Sequence, residues 1–159
     1  MLEDITLVIH GVELAEEIPG IDRIRKHTRI HCAPDLASLQ RHLPKADALL
    51  GWNFRATELR EAWPPAGRLR WIHWGGAGVD AVLFPELVAS DVLLTNARGV
   101  FDRAMAEYTL GLILAFGKEF SETYTAQREH RWSYRRTELA AGRSVLVVGV
   151  GSIGREIAR

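Results

Sequence analysis

The sequence has almost no cysteine, no long apolar run and no excess of either charge. Cys32 is the single cysteine in 159 residues, so an internal disulfide is excluded. Cys32 reads instead as a small buried residue near a strand end. The 20 Lys and Arg residues balance 20 Asp and Glu residues, for a formal net charge of zero. That removes the electrostatic basis for general binding to nucleic acid or to an acidic membrane surface. The longest apolar stretch, around YTLGLILAFG (108–117), is far shorter than the roughly 20 residues that span a bilayer. The opening MLEDITLVIHG places acids before a short apolar run and lacks a basic segment. It reads as a first strand, not a signal peptide. The expectation is a cytoplasmic protein with no metal site, no internal repeat and no low-complexity segment.

What remains is an ordinary globular chain with 47% hydrophobic residues, enough for one domain plus part of another. Short apolar runs alternate with helix-like segments. ITLVIHG (5–11), TRIHCA (28–33), ADALLGW (46–52), LRWIHW (69–74) and DVLLTNA (91–97) read as strands. LAEEIPGIDRIRKH reads as a helix interrupted at Pro19-Gly20. PDLASLQRHL (34–43) places Pro34 in a first turn and sets Leu36, Leu39 and Leu43 on one helical face. ATELREAW (56–63) predicts a short helix stopped by Pro64-Pro65, and DAVLFPELVAS another, with Asp80 as its N-cap. Five strands alternating with helices predict an α/β domain. Its parallel sheet would be covered on both faces, with the flavodoxin-like strand order 2-1-3-4-5 as the leading doubly wound choice.

Residues 101–120 break this rhythm. FDRAMAEYTLGLILAFGKEF distributes apolar residues all round a helix, and such a helix must be buried on all sides. Another domain or another subunit is needed to cover it. Residues 121–143 are polar and basic and predict a helix end followed by a solvated surface connection.

Two glycine-rich turns carry the chemistry. Gly149-Val150-Gly151-Ser152-Ile153-Gly154 matches G-x-G-x-x-G between a strand, VLVV (145–148), and a helix start, SIGREIAR (152–159). The first glycine permits a tight turn. The second lets a pyrophosphate approach the backbone, and the third lets the helix pack on the strand. Free N–H groups at the helix start favour the anion; the alternative is an ordinary glycine-rich strand-to-helix turn. The acid that would bind the ribose hydroxyls is expected roughly 20 residues further on, past Arg159, so NAD and NADP stay undecided. The other turn, GGAG in WIHWGGAGVD (71–80), ends the fourth strand. Gly75, Gly76 and Gly78, beside Ala77 and Val79, offer N–H groups suited to a small carboxylate at the sheet edge where such folds bind ligands. The alternative is a loop whose glycines are needed for positive φ. Asn53, Phe54 and Arg55 follow the third strand at the same edge, and Arg55 either faces a carboxylate or is solvated. His73 reads as a satisfied structural histidine, and Trp71 and Trp74 as core or cleft wall. Glu107 either bonds a backbone donor near its helix start, a structural role that is favoured, or faces a cleft.

The ordered set WIHWGGAGVD, LLTNARGVFDRAMAEYTLGLIL and RRTELAAGRSVLVVGVGSIGREIA resembles the D-isomer-specific 2-hydroxyacid dehydrogenases over essentially the whole chain. The family includes glyoxylate/hydroxypyruvate reductases and phosphoglycerate dehydrogenases. The resemblance implies a flavodoxin-like substrate domain over 1–100. A crossover helix and the first strand and helix start of an NAD(P)-binding Rossmann domain would follow over 101–159. It implies a substrate carboxylate held by the backbone of Gly76, Ala77, Gly78 and Val79, with Phe54 and Arg55 beside it. The cofactor pyrophosphate would lie on Gly149, Val150, Gly151, Ser152, Ile153 and Gly154, with Met105 near the nicotinamide. It also implies a homodimer through the 101–120 region and a small 2-oxo or 2-hydroxy acid as substrate.

Asn96-Ala97-Arg98-Gly99 looks like the family's later motif bearing a catalytic arginine. It precedes the glycine turn, so it corresponds to the interdomain hinge, and Arg98 is not that arginine. The family's catalytic arginine, glutamate and histidine follow the glycine turn, so they are expected downstream of Arg159. The expectation is therefore the N-terminal part of a dehydrogenase, inactive by itself. The alternatives are a non-catalytic nucleotide-sensing interaction protein on the same fold, or a free-standing flavodoxin-like binding domain with a vestigial tail.

Overall fold

The computed structural model describes residues 5–64 and 67–159. Strands form at the five short apolar runs: β1 Ile5–His10, β2 Thr28–Ala33, β3 Ala48–Gly51, β4 Trp71–Trp74 and β5 Leu93–Asn96. Every pairing is parallel, in the order β2-β1-β3-β4-β5. The alternation predicts the parallel α/β sheet, and the order is the flavodoxin-like one favoured among doubly wound folds.

Register and pleat divide the core between the two faces of the sheet. Leu7 stands opposite Ile30 and Ala48. Leu7, Ile9 and Ala48 pack with Val12, Ala15, Ile18 and Ile21 from the β1–β2 connection. The alternate residues Val8, Leu49 and Ile72 pack with Leu39, Leu43, Leu59, Val82 and Leu87. Each aliphatic side chain buried this way contributes about 1.5–3 kcal/mol. At the amino end of the sheet Asp47 acts as a bracket. It accepts from the Thr6 N–H at 2.9 Å and from Arg68 Nη2 at 2.9 Å.

Several connections differ in detail from the sequence reading. The β1–β2 crossover is a 3-10 turn, Ala15–Glu17, and α1, Asp22–Arg25, separated at Pro19-Gly20 as expected. Helix α2 spans Leu36–His42, and its N-cap is Asp35. Asp35 accepts from the Ser38 N–H at 2.8 Å, so Pro34 precedes the cap instead of entering the first turn. Residues 56–63 form hydrogen-bonded turns, including Ala62 N–H to Glu58 O at 3.0 Å, and not a helix. Pro64 ends the segment before propagation can offset the cost of helix nucleation; Pro65 lies outside the described residues. The 80–90 helix is split into a 3-10 turn, Asp80–Val82, and α3, Pro85–Val88. Phe84, ahead of a proline, is held extended. Val79 occupies the N-cap position and Asp80 lies in the first turn without capping it.

The chain divides into two compact units, Met1–Arg98 and Gly99–Arg159. The second contains α4 Asp102–Gly117, α5 Phe120–Arg128 and α6 Ser152–Ile157. The long helix therefore stops short of residue 120. Glu119 turns the corner with φ +51°, a left-handed conformation that a non-glycine residue rarely adopts. Arg135 holds that corner: its Nε lies 2.6 Å from Glu119 Oε2 and its Nη2 donates to Glu119 O at 2.8 Å. The 121–143 segment is thus partly tied down and not wholly a solvated connection.

No residue of α4 is buried within this chain, and Leu110 and Phe116 are 56% and 89% exposed. Residues 145–148, expected as a strand, carry no ladder hydrogen bonds among the described residues. A strand is completed by its neighbours' N–H and C=O groups, and none of the described segments supplies them. Among the described residues no helix is long and apolar enough to cross a membrane, and no group of three or more His, Cys, Asp or Glu could hold a metal.

Candidate functional site

Parallel pairing aligns the carboxyl ends of β1, β3, β4 and β5 at one edge of the first unit. The turn after β4 starts there. Gly75 N–H donates to Gly51 O at 2.9 Å, continuing the ladder for one step. Beyond it, the N–H groups of Gly76, Ala77, Gly78 and Val79 have no acceptor among the described residues. The turn's own carbonyls are secured from β5 and its sequel. Ala97 N–H donates to Gly76 O at 3.0 Å and Asn96 Nδ2 donates to Ala77 O at 2.8 Å. The loop thus has braced carbonyls and free donors, which suits an anion of carboxylate size.

None of these glycines has positive φ, so the positive-φ alternative does not explain them. Close approach does. A Cβ on Gly76 would stand 3.0 Å from Phe54 Cβ, a squeeze that only glycine avoids.

Phe54 and Arg55 follow β3 at the same edge and are both exposed. The Arg55 guanidinium carbon lies 5.9 Å from the Phe54 ring centroid, within range of a weak cation–π contact. Arg55 has no carboxylate partner among the described ion pairs. Trp74 is buried core and not a cleft wall, whereas Trp71 is exposed and donates to Thr95 Oγ1 at 2.9 Å. His73 Nδ1 lies 2.9 Å from the same hydroxyl, so His73 is a satisfied structural residue as expected.

Two residues of this edge escape the sequence reading. Asn96 was placed in a hinge, yet its amide holds the glycine turn. His10, read as part of a plain strand, is 1% exposed at the end of β1. Its carbonyl accepts from Trp52 and Asn53 N–H groups at 3.1 and 3.3 Å, anchoring the bend that carries Phe54 and Arg55. Burial lowers its imidazole pKa, with the Glu58 carboxylate opposing. The available signal is positional: both polar residues end a strand at the sheet edge that carries the glycine turn.

The second turn lies in the other unit. Gly149 has φ +96° and Gly154 is buried. A Cβ on Gly154 would overlap the Gly149 carbonyl oxygen, so α6 can close on the turn only through glycine. The N–H groups of Gly151, Ser152, Ile153 and Gly154 have no acceptor among the described residues. Val150 is exposed, while Ser152 and Ile153 are half-buried. Ser152 Oγ donates to Asp102 Oδ1 at 3.0 Å. These orphan donors around a glycine cradle fit a diphosphate. Met105 is exposed on α4. Glu107 is also exposed there and pairs with Arg103 at 3.0 Å, not with a backbone donor as expected. Helical spacing places Arg103 four residues before it on the same face.

The family model for D-isomer specific 2-hydroxyacid dehydrogenase, catalytic domain, matches residues 7–150. D-3-phosphoglycerate dehydrogenase of Mycobacterium leprae is 30% identical over 158 residues, covering 98% of this chain and 30% of that protein. A D-isomer specific 2-hydroxyacid dehydrogenase family protein from Aeromonas salmonicida superposes with a TM-score of 0.81 at 27% identity. The match spans 98% of this chain and 49% of that one. D-lactate dehydrogenase of Aquifex aeolicus, solved with NAD and lactic acid, shares the fold with a TM-score of 0.69 at 19% identity, over 96% and 46% of the two chains. The chain thus spans between 30% and 49% of the length of these proteins. A match across nearly the whole chain, together with the two glycine turns, places it in a family: it belongs to the D-isomer specific 2-hydroxyacid dehydrogenases.

Proposed function

We propose that this chain is the substrate domain and the opening of the cofactor domain of an NAD(P)-dependent D-2-hydroxyacid dehydrogenase. Such a protein reduces a small 2-oxo acid or oxidises the matching 2-hydroxy acid. The observation that carries the reading is the pairing of two donor-rich glycine turns, 75–79 and 149–154, in one chain of this family. The domains divide near residue 100. A nicotinamide cofactor, when bound, supplies or accepts the hydride. The NAD found with the Aquifex aeolicus relative supports that class, and the choice between NAD and NADP is left open.

The chain's own residues do three things on this reading. The N–H groups of Gly76, Ala77, Gly78 and Val79 hold the substrate carboxylate, and Asn96 keeps their loop in place. Phe54 and Arg55 flank the carboxylate, one limiting water and the other adding positive charge. Gly149 to Gly154 would take the cofactor diphosphate through backbone donors, and Met105 would lie near the nicotinamide. The proton for the substrate oxygen comes from the family's histidine, which follows the glycine turn in chain order. The 159-residue polypeptide alone is therefore inactive, because donors for carboxylate and diphosphate do not replace the proton donor. The exposed apolar residues of α4 support a homodimer through 101–120.

Fluorescence titration of NADH and NADPH into the chain tests the cofactor site, with Gly154→Ala, whose Cβ would clash with the Gly149 carbonyl, as the control that disrupts the turn. Saturable binding lost in that variant, without reduction of glyoxylate or hydroxypyruvate, is the expected result. No binding of either nucleotide sinks the cofactor role. Turnover above the enzyme-free rate sinks the assignment of the proton donor to residues beyond this chain.

A further inference from the structure

We infer that Asp102 is a positioning residue for the Gly149–Gly154 turn, acting through Ser152; the inference rests on the proposed use of that turn for a diphosphate. The Ser152 hydroxyl donates to the Asp102 carboxylate at 3.0 Å across fifty positions of sequence. Asp102 is the first residue of α4 and Ser152 the first of α6, and these two helices pack on one another. The bond therefore ties the leading ends of two packed helices.

The rest of the turn has little else to hold it. A Cβ on Gly149 or Gly151 would meet nothing within 4 Å, so no neighbouring group packs against that side. The turn is braced from within by Gly154 closing on Gly149. Among the described residues, Ser152 is its one side-chain hydrogen bond to the body of the unit. Rotation of the turn on α4 changes where the free N–H groups of 151–154 point. Asp102 opposes that rotation.

The residue type sharpens the assignment. A group selected for charge beside a diphosphate would be basic. A carboxylate repels the ligand, so what Asp102 contributes is its acceptor oxygen, which fixes Ser152. Charge and hydrogen bonding can be separated by substitution. Asparagine keeps an acceptor oxygen and drops the charge, whereas alanine drops both.

The test uses Asp102→Asn, Asp102→Ala, Ser152→Ala and Ser152→Thr in the full chain, with two readouts. The first is amide hydrogen exchange, without nucleotide, at Arg155 and Ala158, whose N–H groups donate to Gly151 O at 3.0 Å and Gly154 O at 3.1 Å and so report on the turn's position. Exchange should quicken in Asp102→Ala and Ser152→Ala and stay as in the parent in Asp102→Asn and Ser152→Thr. The second is NADH affinity. Asp102→Ala and Ser152→Ala should each weaken binding about two- to ten-fold, as for one lost hydrogen bond, and the double variant should be no worse than either. Asp102→Asn should bind at least as tightly as the parent. If Asp102→Ala binds NADH as well as the parent or better, repulsion outweighs any anchoring and the positioning role is overturned, with the cofactor site intact. If the exchange pattern appears but the parent does not bind NADH, Asp102 still holds the turn and the diphosphate reading fails. Unchanged exchange in both alanine variants overturns the positioning role whatever the nucleotide does.

Discussion

Asn96 Nδ2 donates to the Ala77 carbonyl across 2.8 Å, tying the end of β5 to the glycine turn that follows β4. The bond fixes the carbonyl side of a loop whose N–H side is free. Asn96→Ala removes the tie, and Asn96→Asp replaces a donor with an acceptor facing another acceptor. Affinity for glyoxylate should fall about two- to ten-fold in the alanine variant, and further in the aspartate variant. Chemical-shift titration of the chain with glyoxylate measures both. Equal affinity in all three proteins would remove Asn96 from the site.

Glycine size, not φ, decides the turn after β4. Gly76→Ala brings a Cβ to 3.0 Å from Phe54 Cβ, so Phe54 or the loop must move. The expected cost is about 1–3 kcal/mol of stability. Gly111 in α4 is the opposite case, with nothing within 4 Å of its Cβ position. Gly111→Ala should stabilise the second unit by about 0.5–1 kcal/mol. Urea denaturation of both variants checks the two signs.

Two buried ionisable groups give the first unit separate acid limits. His10 is 1% exposed, and its Nδ1 has no hydrogen-bond partner among the described residues. Burial lowers its pKa below 6.5 in the fold, against a smaller opposing pull from Glu58. The unfolded chain then binds the proton more readily, so stability is complete above about pH 6.5 and declines as the pH falls below it. Asp47 works lower. Burial alone would raise its pKa, but the Thr6 N–H and Arg68 hold the net value below 3.8. Its contribution is present above about pH 4 and is lost on further acidification. Denaturant midpoints between pH 7.5 and 3 should show both limbs. His10→Gln should flatten the upper limb alone, and Asp47→Asn the lower.

Phe116 is 89% exposed at the end of α4. Phe116→Glu should convert the proposed homodimer to a monomer in sedimentation velocity while leaving the first unit's denaturation unchanged. A parent chain that sediments as a monomer at all concentrations would remove the dimer proposal.

Much of this protein could be read from residue order. Val8, Leu49 and Ile72 lie in short apolar runs bounded by turn residues, and a short run buried on two faces has few solutions other than a parallel strand. The turns at 75–79 and 149–154 were legible because glycine marks places where backbone must approach backbone or ligand. Order within the sheet was a matter of fold preference until Leu7 paired with both Ile30 and Ala48. Asn96 and His10 were not legible as supports of the 75–79 turn and the bend after β3. Their roles depend on partners at Ala77, Trp52 and Asn53, brought together only by parallel pairing. Asp102 and Ser152 meet only because α4 and α6 pack on one another. Residues 145–148 show the converse: VLVV has the composition of a strand, but a strand exists only where another backbone satisfies its N–H and C=O groups. Local sequence determines which segments can be strands, turns and caps through sterics and burial. Tertiary structure decides which are completed, because hydrogen bonds and close packing need a second segment in place.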